Sequence, residues 1–154
     1  MVRCRGRTPG AFAAALPLGA LDVARWRALV RVAQERGTGE LRLTPWRGVV
    51  LPGVEAAAEE ELARHGLVTR PDSVWPLVSA CTGLPGCARA HRDVRADATA
   101  AMAGTAPEGV AELPSPRPGL PVHWAGCARR CGRPRGRRVD VVAGPGGYHT
   151  TVAE

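Results

Sequence analysis

Four of the five cysteines fall in two short loops. Cys81-Thr82-Gly83-Leu84-Pro85-Gly86-Cys87 has the form C-x5-C, and Gly126-Cys127-Ala128-Arg129-Arg130-Cys131 contains C-x3-C. Four thiolates are a complete ligand set for a 4Fe–4S cluster, one per iron. The intervening glycines and proline suit tight loops. They also let backbone N–H groups approach anionic sulfur, which helps set a cluster's potential. The same residues admit three other readings. One is a structural Cys4 zinc site, whose knuckles usually have the tighter C-x2–4-C spacing. The others are two disulfides, or unrelated buried thiols.

The elements that must position these loops come from a chain of 154 residues, enough for one ordinary domain or two small ones. No apolar run reaches the length of a membrane span, and no export signal is evident, so a cytoplasmic protein is expected. That compartment favours metal over disulfides for clustered cysteines. The fifth, Cys4, reads as a free surface thiol. The net charge is +7, and every one of the 21 basic residues is arginine. Arginine binds carboxylates and phosphates through a planar fork, so an anionic partner is expected. Aromatic residues are only 4% of the chain, which argues against base stacking and hence against nucleic acid.

Gly10 to Leu18 reads as a strand. Asp22 is an N-cap for a helix to Arg36, with Val23, Trp26, Leu29, Val30 and Ala33 on its inner face and Trp26 as a core anchor. Glu40 to Thr44 alternates as a half-buried strand, with Leu41 and Leu43 inward. Val49 to Leu51 follows as another strand. A second helix runs from Glu55 to His65, with Glu59, Glu60 and Glu61 on its solvated side. This order is that of an α+β sandwich of the ferredoxin-like type. The pattern changes around Arg70-Pro71-Asp72, dividing the chain into 1–70 and 71–154. Val74 to Ala80 leads into the first cysteine loop. A helix is expected from Ala88 to Ala103, with Asp93 and Asp97 on a solvated face pairing with Arg89 and Arg92. Gly104 to Gly119 reads as a loop, and Leu120 to Trp124 as a strand leading into the second cysteine loop. His123 reads as a hydrogen-bonded strand histidine. Arg138 to Ala143 and Tyr148 to Val152 form a hairpin about Gly144-Pro145-Gly146-Gly147.

Gly39-Glu40-Leu41-Arg42-Leu43-Thr44-Pro45 resembles a segment of the ferredoxin-like half-domain of nitrite and sulfite reductases. Ala80-Cys81 to Cys87-Ala88 and Gly126-Cys127 to Cys131-Gly132 are similar to the iron–sulfur and siroheme motif of that family. The resemblance implies a ferredoxin-like half-domain followed by a sulfite/nitrite reductase-type α/β domain carrying a 4Fe–4S cluster, with Cys81, Cys87, Cys127 and Cys131 as ligands. In detail, the wording of both cysteine loops looks most like the precorrin-3B synthase branch. Members of that branch hydroxylate precorrin-3A at C20 and close a γ-lactone, in the aerobic route to cobalamin. The sulfite and nitrite reductase branch implies siroheme as well. Either branch implies an anionic tetrapyrrole and an external electron donor as partners. Arg42 and Arg47 are then candidates for tetrapyrrole carboxylates. Arg129, Arg130 and Arg133 flank the cluster loop and are candidates for substrate or for offsetting the cluster's charge. The family fold is a duplication, and this chain has one copy of each half. Thr44-Pro45-Trp46-Arg47 looks like the C-terminal copy, because Trp46 stands where the first copy's Thr-x-Arg spacing would place an arginine. The resemblance therefore implies the C-terminal half of an enzyme, completed by an N-terminal half or by a second copy of itself; the contrasting reading is a non-enzymatic 4Fe–4S electron-transfer module or a truncated remnant.

Overall fold

The computed structural model describes residues 10–105, 107, 110 and 115–154. Cys4 lies outside the described residues, as does part of the loop expected over 104–119. The chain divides into two compact units, one ending at Pro76 and one spanning Leu77–Glu154.

In the first unit, β1 (Ala11–Ala15), α1 (Val23–Arg36), β2 (Arg42–Thr44), β3 (Gly48–Pro52) and α2 (Glu59–Arg64) follow in the expected order. The sheet is antiparallel with strand order β1-β3-β2. β1 is shorter than expected, because Pro17–Gly19 forms a single 3-10 turn. Asp22 caps α1, its side chain accepting from the Arg25 N–H at 2.7 Å. Phe12, Leu29, Val32, Val49, Leu51 and Leu62 are the heart of one apolar cluster.

Four further expectations about this unit are corrected. The buried residues of α1 are Ala28, Leu29, Val32 and Ala33, while Val23 and Trp26 are exposed. At about 100° per residue, those four define a stripe rotated away from Trp26, which is 42% exposed and anchors no core. Leu43 is also exposed, although it pairs with buried Val49, because β2 is the edge strand. The second helix begins as a 3-10 turn over Ala56–Ala58 and becomes α-helical only at Glu59. Glu61 is not simply solvated: its carboxylate bridges Arg31 at 3.2 Å and Arg36 at 3.0 Å, tying α2 to α1.

The second unit is a mixed four-stranded sheet, β4 (Val78–Ala80), β5 (Val122–Ala125), β6 (Arg138–Gly144) and β7 (Gly147–Ala153), in that spatial order. β4, β5 and β6 are parallel neighbours, and β7 returns antiparallel through the expected hairpin. Every residue of β5 and six of the seven in β6 are buried, the signature of central strands covered on both faces. Trp124 packs edge-on against Tyr148, ring centroids 5.3 Å apart. The helix expected from Ala88 is shorter: α3 spans Val94–Met102, with Asp93 as its N-cap at 3.1 Å from the Ala96 N–H. Residues 88–93 belong to the first cysteine loop instead, where the N–H groups of Ala90 and His91 bond to the carbonyls of Cys87 and Gly126. Asp97 does not pair with an arginine on a solvated face. It accepts a hydrogen bond from the Tyr148 hydroxyl, and the Arg92 guanidinium lies 5.9 Å from the centroid of that ring.

Candidate metal centre

The cysteine loops leave the C-terminal ends of two adjacent parallel strands. β4 ends at Ala80 and β5 at Ala125, and Ala80 pairs with Trp124. The Cys81 N–H continues the ladder to the Trp124 carbonyl at 2.9 Å. Parallel pairing thus delivers both loops to one sheet edge, the edge at which open α/β sheets bind ligands. Cys81, Cys87, Cys127 and Cys131 together line one cavity of about 90 Å³. All four thiols are free.

The loops fit closely against each other. The Gly126 N–H lies 3.1 Å from the Cys81 sulfur, so one backbone donor already points at a thiol. A Cβ on Gly126 would sit 2.7 Å from that of Ala90, so no larger residue fits without moving a loop. Gly83 takes a φ of +67°, a conformation that glycine adopts freely and L side chains rarely do. Arg95 of α3 donates from Nε to the Cys81 carbonyl at 3.2 Å, fixing the first loop from the helix side.

Arg89, Arg129 and Arg130 line the same cavity, and no acidic residue among the described ones does. Three guanidinium groups beside four sulfurs favour a site that carries negative charge. Arg129 and Arg130 are therefore where the sequence led one to look. Arg133 is exposed and is not among the lining residues. Arg89 was read only as a helical surface charge; its position two residues after Cys87 was the available signal. Arg42 is exposed and pairs with Glu40 at 3.0 Å. Arg47 packs its side chain over Gly19 and donates to the Pro76 carbonyl at 3.1 Å. Burial pushes its pKa below the usual arginine value. His123 is a buried strand histidine, with Nδ1 2.8 Å from the Ser79 hydroxyl.

The donor set lining the cavity is four sulfurs, a set that suits an iron–sulfur cluster or a zinc ion. A tetrahedral zinc with Zn–S near 2.3 Å needs sulfurs about 3.8 Å apart. Among the described residues, no three His, Cys, Asp or Glu side chains are gathered to hold one metal ion.

Residues 5–65 match the model of the nitrite/sulfite reductase ferredoxin-like half domain. The match covers the expected Gly39 to Pro45 segment and the β1-α1-β2-β3-α2 order. Similarity to members of the wider nitrite and sulfite reductase group extends into the cysteine-bearing unit. The chain is 36% identical over 124 residues to the chloroplastic ferredoxin–nitrite reductase of Zea mays, an alignment covering 77% of this chain and 21% of that protein. It is 27% identical over 141 residues to the precorrin-3B synthase of Sinorhizobium sp, covering 89% of this chain and 29% of that protein. The NirA structure from Mycobacterium tuberculosis superposes with a TM-score of 0.59 at 21% identity, over 92% of this chain and 28% of that one. That likeness establishes the fold. The chain thus spans about a fifth to under a third of the length of these relatives.

Proposed function

We propose that this chain is the cluster-bearing C-terminal half of a precorrin-3B synthase-like oxidoreductase. Cys81, Cys87, Cys127 and Cys131 hold a 4Fe–4S cluster. The observation that carries this reading is the convergence of four thiols, from two loops, on one arginine-lined cavity at a parallel sheet edge. When bound, such a cluster supplies one-electron transfer. The residues of the chain hold and tune the site. The Gly126 N–H donates toward the Cys81 sulfur, Arg95 secures the Cys81 backbone, and Arg89 and Arg129 offset thiolate charge. Arg89 and Arg129, both exposed, also suit the carboxylates of a tetrapyrrole. Arg42 and Arg47 are less suited, since the first pairs with Glu40 and the second is engaged within its own unit. The alignment with precorrin-3B synthase covers 89% of the chain, more than the 77% shared with the maize reductase, which favours the synthase branch. The higher identity to the maize reductase supports a second reading, a siroheme-dependent nitrite or sulfite reductase.

The test is anaerobic purification with iron and acid-labile sulfide counted per chain. About four of each, with a broad visible absorption that bleaches on reduction, is expected. A siroheme band beside it would move the assignment to the reductase. Zinc in place of iron, or no metal in freshly isolated and reconstituted protein, would overturn the redox reading.

A further inference from the structure

Beneath the second cysteine loop lies a charge network that the cluster itself does not require. Asp140 of β6 stands opposite His123 of β5 and is 2% exposed. Its carboxylate accepts from Arg138 through Nε at 2.9 Å and Nη2 at 3.3 Å. Arg138 is itself buried. That fork already balances the carboxylate, yet a second guanidinium is brought to it. The buried Nε of Arg130 lies 3.4 Å from Asp140 Oδ2, an ion pair by distance without hydrogen-bond geometry.

Arg130 immediately precedes Cys131 and adopts φ +49°, in the left-handed region that L side chains seldom occupy. Its Nη1 donates back to the Ala128 carbonyl at 3.3 Å, inside the same loop. The side chain of this left-handed residue therefore links its own loop to Asp140. Away from water, a buried carboxylate attracts a guanidinium far more strongly than at the surface.

We infer that Asp140 is a positioning residue for Cys127 and Cys131. Acting through Arg130, it fixes the loop between them so that both thiols face the cavity shared with Cys81 and Cys87. The inference rests on the four-cysteine reading above, but its test does not depend on a loaded cluster.

The measurement is the alkylation rate of each cysteine by iodoacetamide in the metal-free chain, resolved by peptide mass spectrometry. Arg130→Gln removes the strut and leaves the Arg138–Asp140 pair in place, so the fold should melt as wild type does. Cys127 and Cys131 should then react several-fold faster, with Cys81 and Cys87 within about twofold of wild type. Asp140→Asn should give the same pattern. Should it fail to fold, Arg130→Gln carries the test. Iron uptake on anaerobic reconstitution should fall several-fold in both variants. Unchanged rates at Cys127 and Cys131, or equal acceleration at all four cysteines, would overturn the inference. A wild-type chain that takes up no iron would overturn the four-cysteine reading instead, and the alkylation pattern would still decide the role of Asp140.

Discussion

The four cysteines are equivalent in chemistry but not in surroundings. Cys131 is exposed, and the other three are partly covered. If all four hold one cluster, replacing any of them by serine should reduce iron per reconstituted chain severalfold, because one iron then lacks its thiolate and the cluster is no longer fully held. Cys4→Ser should leave the iron count unchanged, and iron and sulfide assays on the five variants check both statements. Tyr148 carries a separate, structural prediction. Burial first, and then its hydrogen bond to Asp97, push its pKa well above the ordinary tyrosine value. The folded chain therefore keeps its proton at pH values where the unfolded chain loses it. The stability this contributes is complete below the unfolded value of about 10 and declines as pH rises beyond it. Tyr148→Phe should flatten that alkaline decline and cost about 1 kcal/mol at neutral pH through the lost hydrogen bond. Urea titrations at neutral pH and above pH 10 measure both. The arginines show how far residue type alone leads. Arginine suits carboxylates, but Arg47 spends its side chain inside the first unit. Nothing in its local sequence distinguishes it from exposed Arg42.

At the scale of elements, loop and strand ends govern the site. Gly126 is where the two cysteine loops touch, and a methyl group there would meet Ala90 at 2.7 Å, with backbone and not a flexible side chain on either flank. Gly126→Ala should therefore displace one loop from the other. The expected loss is about 1–3 kcal/mol of stability, as for other overpacked sites, with iron uptake reduced in parallel. Thermal melting of the metal-free chain and an iron assay after reconstitution check the pair; full iron uptake with unchanged melting would contradict the close-packed loop geometry. Elements governed by local pattern were readable. The Asp22 cap, the two strands of the C-terminal hairpin and the short strand before the second cysteine loop stand where the sequence implied. The inner face of α1 was misjudged. Its stripe is rich in alanine, and large apolar residues beside a small-residue stripe mislead a reading that weighs side chains by size. The early helix after Cys87 was misjudged for a different reason: Ala88 to Asp93 has helical composition, but its N–H groups bond to carbonyls of the cysteine loops instead.

On the scale of the whole molecule, the chain holds one compact unit of each kind and spans only part of its relatives' length. If the reading proposed above is right, this chain alone should load its cluster yet turn over neither precorrin-3A nor nitrite. Loading should also raise its melting temperature, because a ligand bound only by the folded state stabilises that state. Calorimetry before and after reconstitution tests the first expectation, and turnover assays on the loaded chain test the second. By itself the sequence determined the α+β class, the order of elements, the cysteine spacing and the cationic character. All of these rest on residue type and on contacts a few positions apart. Tertiary structure alone decided which arginines line the cavity, that Asp140 lies buried beneath Arg130, and that the two cysteine loops meet. The loops are 39 residues apart in the chain. What joins them is the parallel register of β4 on β5, a long-range pairing that no local pattern encodes.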